Sequence, residues 1–328
     1  MILVTGASGY VGSHTIKRLV EAHQPVRALV RNRVWAEAEG RLAGLPIEWV
    51  EGDVTQPETL AAAMQDVDTV IHTVAIAIEK GGRMYEDINY QGTVNVVAAA
   101  QTAGVKRFIN VCQLGADSKL PYRFLASKGK AQEAVAASTL AWTALRPSVI
   151  WGPEDEFANT FAKLVPISPL IYPIIGDGQA KFQPIWVEDV VTAIVKSLND
   201  PTTIHQDLEI AGPEVLPIAD IERRTLQALG VKRQLIPFPV PLLRFVVGLM
   251  SLLPAPPVTS SLLDLLAVDN TAHANAIQRF VAQPRPFTAA NAGSYMRQFK
   301  LGDTLKQFMG KPVAPSQHTS HAAQIAAR

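Results

Sequence analysis

Cysteine is nearly absent from this 328-residue chain: Cys112 stands alone, which excludes an internal disulfide framework and a zinc site built from cysteines. The seven histidines are scattered with no His-x-x-x-His pair, so a metal site has no support. Neither charge dominates: 30 basic against 29 acidic residues leave a net charge of +1, which gives no electrostatic case for nucleic acid as a partner. Long hydrophobic runs are missing as well. The stretch most worth testing as a membrane span is PLLRFVVGLMSLLP, residues 241–254; it is too short to cross a bilayer, contains Arg244 and is bounded by prolines. It reads either as a helix packed on its own protein or as a hydrophobic surface that lies on a membrane or docks into a larger assembly. The apolar ILVT starts at Ile2 with no charged leader before it, so the expected address is cytoplasmic, or peripheral on the inner face of the cell membrane.

What is present is the composition of a folded globular protein: 48% hydrophobic and 18% charged residues. The first half alternates short apolar runs (ILVT, VRALV, IEWV, TVIHT, RFINV) with longer segments of helical spacing. Strict strand–helix alternation predicts an α/β fold with a doubly wound parallel sheet covered on both faces. TALRPSVIWG adds a sixth strand. After Gly152 prolines punctuate the chain in LVPISPLIYP, PFPVPLL and LPAPP, which predicts a smaller C-terminal α/β domain. The expected division is a Rossmann domain over 1–152, to which 181–200 returns, a substrate or partner domain over 153–310, and a disordered tail over 311–328.

The loop Thr5-Gly6-Ala7-Ser8-Gly9-Tyr10-Val11-Gly12 follows a predicted strand and opens a predicted helix. A GxxGxxG in that context fits a dinucleotide. Gly6 would permit the tight turn, Gly9 the approach of a pyrophosphate, and Gly12 close packing of helix on strand. The helix start offers free N–H groups and the positive end of its dipole to the phosphates. At the end of the second strand, VRALVRNR holds no carboxylate to bind the adenosine ribose; Arg31 and Arg33 would suit a 2′-phosphate, so NADP(H) is expected over NAD(H). Asp53, in EGDVTQ, follows the third strand and is placed to reach the adenine edge.

From VTGASGYVG through EGDV, VIHTVA, INYQGTVNVVAAAQTAGVKRFI, SKGKAQEAV, TALRPSVIWGPEDEF, PIWVEDVVTAI and EIAGPE, the sequence resembles the extended and atypical short-chain dehydrogenase/reductase superfamily. RFINVCQLGAD, RPSVIWGPEDEFANTFA and the late PFPVPLLRFVVGLMSLLPAPPVTSSLLDLLAVDN resemble one branch, which contains the Rossmann-type accessory subunit of mitochondrial respiratory complex I and its bacterial relatives. The resemblance implies that Gly6, Gly9 and Gly12, with Ser8, Tyr10 and Val11 completing the loop, hold the pyrophosphate. It further implies that Arg31 meets the adenosine phosphate, that Asp53 and Val54 flank the adenine, and that Thr73, Val74 and Ala75 line the path to the nicotinamide. Pro147 and Ser148 would close over the nicotinamide ring, and Lys128 would bind its ribose.

Carbonyl reduction needs a proton as well as a hydride, and the superfamily's usual donor is a tyrosine four residues before a lysine, one helical turn away. Counting back from Lys128 gives Phe124, which cannot donate a proton. Tyr122 lies about 600° of helix from the lysine, so it serves only if the helix begins after it. Where a serine or threonine is expected after the fifth strand, the chain has Cys112 and Gln113; the first reads as a strand residue and the second is a poor acid. Glu154, Asp155 and Glu156 read as a solvated loop, with Asp155 placed near a substrate cleft by the resemblance. Glu188 and Asp189 begin a helix, where carboxylates suit the dipole.

Retained cofactor groups without acid groups favour a nucleotide-binding accessory or assembly protein of the respiratory NADH:quinone oxidoreductase type. The alternative is an active oxidoreductase on a hydrophobic carbonyl or quinone-like substrate, for which Ile167, Leu170, Ile171 and Ile174 would suit the ligand. A nucleotide-sugar epimerase or dehydratase ranks last, since it needs the missing tyrosine.

Overall fold

The computed structural model describes residues 1–38, 40–250, 268–296 and 299–309, together with residues 253, 263, 265 and 266. The expected disordered tail, 311–328, and the end of the apolar stretch 241–254 lie outside the described residues. Six short apolar runs form parallel strands: β1 (Ile2–Thr5), β2 (Val26–Val30), β3 (Glu48–Glu51), β4 (Thr69–His72), β5 (Arg107–Val111) and β6 (Ala141–Pro147). A seventh strand, Gln206–Ile210, pairs with β6, so the sheet runs from it through β6, β5, β4, β1 and β2 to β3. Every pair is parallel, with Ile2 opposite Val26 on one side and Thr69 on the other. The chain order reverses between β1 and β4, and a crevice opens there at the strands' carboxyl ends, where such sheets take ligands.

Strands covered on both faces must be apolar throughout, and β2 and β5 are buried at every position. Even Arg27 obeys: its guanidinium reaches Glu48 and the carbonyls of Ala63 and Gln65. On one face pack α1 (Tyr10–Glu21) and α7 (Val187–Leu198), over a core that includes Ile16, Leu19, Val190 and Ile194. On the other lie α3 (Leu60–Ala63), α4 (Gly92–Thr102) and α5 (Arg123–Ala136), over Leu60, Val96, Phe108 and Val135. The short α2 (Arg33–Ala38) follows β2.

The expected single helix before β5 begins instead as a π turn, Glu86–Gln91, that runs into α4. Within that turn Asn89 sets its amide on the backbone of Ile76, accepting from its N–H and donating to its carbonyl. After Gly152, a further core gathers Trp151, Phe161, Tyr172, Phe182 and Phe287 between α6 (Ala158–Leu164) and α8 (Ile218–Ala228). Strands Ile171–Ile175 and Gln234–Phe238 form a separate parallel pair. The apolar segment forms α9 (Val240–Met250), which buries Val247 and exposes Leu242, Phe245, Val246 and Leu249. Among the described residues no helix is long and apolar enough to cross a membrane.

Candidate functional site

The glycine loop is shaped by contacts no larger residue could make. Gly6 has φ +72°, and a Cβ there would lie 2.7 Å from Thr73 Oγ1. Gly9 donates to Gly6 O at 2.9 Å and is the N-cap of α1 without a side chain to cap it, so the first N–H groups of the helix are left for a ligand. Gly12 approaches Gly6 so closely that a Cβ would stand 2.3 Å from its carbonyl oxygen. Thr73, at the end of β4, donates its hydroxyl to Thr5 O at 2.8 Å and locks the two strand ends together.

Above this loop lies a cleft of about 380 Å³ lined by Gly6, Ser8, Gly9, Arg31, Asp53, Val54, Thr73, Val74 and Ala75. Nine residues proposed from sequence thus meet in one cavity. Leu29, Val30, Gly52, Ile76, Ile78, Lys80, Arg83 and Ile88 line it too, and sequence reading missed them. The pair Gly81-Gly82 between Lys80 and Arg83 is a turn signal that sequence reading had available. Asp53 commits one carboxylate oxygen to Thr55, accepting from its N–H and hydroxyl at 2.9 Å each. Arg33, the second arginine expected at the phosphate, instead pairs with Glu37 one turn along α2.

Tyr10, Val11 and Gly12 form the first turn of α1 rather than the cleft lining; the Tyr10 hydroxyl is buried near Gly152 with no hydrogen-bond partner among the described residues. Pro147 and Ser148 also stand apart from the lining: Pro147 O accepts from Leu114 N–H and the Ser148 hydroxyl donates to Gln183 O. Lys128 is 2% exposed, and its ammonium donates to Val111 O at 3.0 Å. Burial lowers its pKa, as no carboxylate is hydrogen-bonded to it. Phe124 packs its ring edge-on against Tyr85, 5.6 Å between centroids. Helix α5 begins at Arg123, so Tyr122 stands just before its first turn.

A buried polar chain ties the glycine loop's strand to α5. His72 contacts Thr5 Oγ1 through Nδ1 at 2.7 Å and Thr93 Oγ1 through Nε2 at 3.0 Å. Thr93 already spends its proton on Asn89 O at 2.7 Å, so His72 Nε2–H is the donor and Nδ1 accepts from Thr5. Burial drives the imidazole pKa down to about 3, with the Lys128 ammonium acting in the same direction, which keeps the ring neutral. Asn89 continues the chain by donating to Ser127 Oγ at 3.1 Å, and Ser127 to Phe124 O.

The acidic cluster differs from the expected solvated loop at its middle residue. Asp155 is 2% exposed and accepts from the N–H groups of Gly152, Phe157 and Asn159, the Asn159 amide and the Tyr295 hydroxyl. Desolvation outweighs these bonds and raises its pKa to about 6. Glu188 does more than face a helix dipole, since it binds His14 at 2.6 Å and Arg18 at 2.7 Å across α1 and α7. No group of three or more metal-ligating side chains occurs among the described residues.

Residues 6–166 match the NAD(P)H-binding family. Over 219 residues the chain is 29% identical to the mitochondrial NADH dehydrogenase [ubiquinone] 1 alpha subcomplex subunit 9 of Arabidopsis thaliana, covering 65% of this chain and 54% of that one. It therefore spans about half the length of that relative. It is 28% identical over 232 residues to an NAD(P)H azoreductase of Xenophilus azovorans, covering 70% of this chain and 74% of the relative. The crystal structure of gox2253 shares its fold with a TM-score of 0.69 at 24% identity, over 90% of this chain and 97% of that one. Residues 6–166 thus form an NAD(P)H-binding domain of the Rossmann type, which supports a nicotinamide dinucleotide as its cofactor.

Proposed function

We propose that this protein holds NADP(H) without the superfamily's standard turnover and serves as a nucleotide-binding accessory or assembly protein of the respiratory NADH:quinone oxidoreductase type. The observation that carries the reading is Phe124: the side chain one turn before Lys128 is an aromatic ring packed on Tyr85, with no proton to give. The retained lysine points its amine to Val111 O, inside the fold. Gly6, Gly9 and Gly12 would hold the pyrophosphate at the start of α1, Asp53 and Val54 the adenine, and Arg31 a 2′-phosphate. Thr73 to Ala75 would lead to the nicotinamide, with Pro147 and Ser148 over its ring and Lys128 at its ribose. Bound dinucleotide supplies hydride-transfer capacity; the chain's own residues bind and orient it and exclude the usual acid.

The likeness to a complex I subunit supports the accessory role. So does α9, whose exposed Leu242, Phe245, Val246 and Leu249 share one face at helical spacing and suit a partner subunit or the membrane surface beside it. A second reading, an oxidoreductase acting on a hydrophobic acceptor, is favoured by the likeness to an azoreductase and by Tyr122, which stands immediately before α5.

The deciding experiment loads the purified chain with NADPH and follows its absorbance against quinones, azo dyes and carbonyl compounds, with Phe124→Tyr run alongside. Stable, unoxidised NADPH in the wild type is expected. Multiple turnovers by the wild type would refute the accessory reading and establish the second.

A further inference from the structure

We propose that the turn Lys80-Gly81-Gly82-Arg83 is a cationic flap over the adenosine end of the cleft, in which Arg83 joins Arg31 to bind a phosphate monoester on the adenosine ribose. The proposal rests on the NADP(H) reading and names a group that reading does not include. Arg31 and Arg83 line the same cleft, one from the end of β2 and the other from the segment after β4. Neither guanidinium makes a hydrogen bond or ion pair with a described residue, whereas the neighbouring Arg27 and Arg33 are committed to Glu48 and Glu37. The basic groups at this end of the cleft are thereby sorted into structural and available ones.

The flap's shape follows from its glycines. Gly81 and Gly82 have φ +60° and +78°, the left-handed pair that a tight two-residue hairpin turn demands. A Cβ at either would meet nothing within 4 Å, so conformation rather than space calls for glycine. Lys80 and Arg83 close the turn as a bridged pair, with Arg83 N–H donating to Lys80 O at 3.1 Å. Its base is fixed: Glu79 accepts from Tyr85 N–H at 2.9 Å and pairs with Arg123 at 2.7 Å, and the Tyr85 hydroxyl donates to Ala77 O. The pinned base holds the turn at the cleft wall.

Arg83 also walls an adjoining hollow with Asp53, Thr55, Asp87 and Gln91. Asp87 lines that hollow and not the cleft, so an anion is drawn to the Arg31 side of Arg83. Two guanidinium forks on one phosphate provide charge-assisted, geometrically matched hydrogen bonds that a ribose hydroxyl cannot replace.

The test titrates the full chain and its Arg83→Ala, Arg83→Lys and Arg31→Ala variants with NADPH and NADH. In Arg83→Ala, NADPH affinity is expected to fall about 10–100-fold while NADH moves less than about threefold, with Arg83→Lys between. Equal losses for both nucleotides would place Arg83 on the shared pyrophosphate and overturn the proposal, as would no loss for either. If the wild type holds NADPH and NADH alike and Arg31→Ala is neutral to both, the NADP(H) reading itself fails. If Arg31→Ala loses NADPH selectively and Arg83→Ala does not, the flap alone is wrong.

Discussion

Gly12→Ala is the most exacting perturbation of the glycine loop. The added Cβ would sit 2.3 Å from Gly6 O and 2.9 Å from both Gly6 C and Thr73 Oγ1. An ordinary carbon–oxygen contact needs roughly 1 Å more. The obstructing atoms are largely backbone, and Gly6 is pinned by its left-handed φ and by Thr73 across the strand ends, so no flexible side chain can swing aside. Overpacking of this kind costs about 1–3 kcal/mol, and the immobile carbonyl puts it at the upper end. Alanine returns about 1 kcal/mol of helix propensity, which leaves a net loss of about 2 kcal/mol. The displaced loop also carries the phosphate-facing N–H groups, so NADPH binding should weaken about tenfold or more. Urea unfolding of the nucleotide-free chain reads the first effect and titration with NADPH the second. Gly248→Ala in α9 is the control, because a Cβ there meets nothing within 4 Å. An unfolding midpoint and an NADPH affinity equal to wild type for Gly12→Ala would refute the packing account of the loop.

His72→Leu should cost about 1–3 kcal/mol, because the Thr5 hydroxyl loses its acceptor inside the core. The same change should alter the pH profile. The folded imidazole titrates near 3 against 6.5 unfolded, so the wild type loses stability as pH falls from about 6.5 towards 3, and the variant should lack that slope in unfolding measured at several acidic pH values. Glu222 carries the opposite sign: its carboxyl is buried, and desolvation outweighs the backbone of Ile175 and raises its pKa to about 8 from 4.5. Stability from this group is full below about 4.5 and declines as pH rises to about 8, so Glu222→Gln should be more stable than wild type at mildly alkaline pH; equal stability there would contradict the burial argument. Asp155→Ala strands three buried backbone N–H groups and the Tyr295 hydroxyl, and should lower the midpoint of thermal unfolding by more than any of the other changes. A shift of only a degree or two would show that water or a neighbour replaces the carboxylate.

Much of the candidate cleft was legible because its signals are local. Apolar runs of four or five residues separated by helical periods leave little choice but a parallel sheet, and glycines at positions 6, 9 and 12 mark a strand-to-helix turn that side chains would block. Phe124 at the proton donor's place is likewise a fact of sequence spacing. Other features depended on partners far away in the chain. Arg31 lines the cleft only because the ends of β1, β2 and β4 meet there, whereas Arg33 is held by Glu37 within α2. Asp155 reads as one of three surface acids until Tyr295 and the helix start after it enclose it. The neutral state of His72 follows from its burial, which exists only because β1, β4 and α4 close around it and bring the hydroxyls of Thr5 and Thr93 to its ring. Lys80 and Arg83 bracket an ordinary-looking Gly-Gly pair, and their place over the cleft exists only because Glu79 and Arg123 anchor the turn across 44 residues of chain. The sequence by itself determined the sheet, the loop and the missing acid, since each is written within a few consecutive residues. The tertiary structure decided which charges are free to meet a ligand, because burial and pairing depend on groups that only the fold brings within reach.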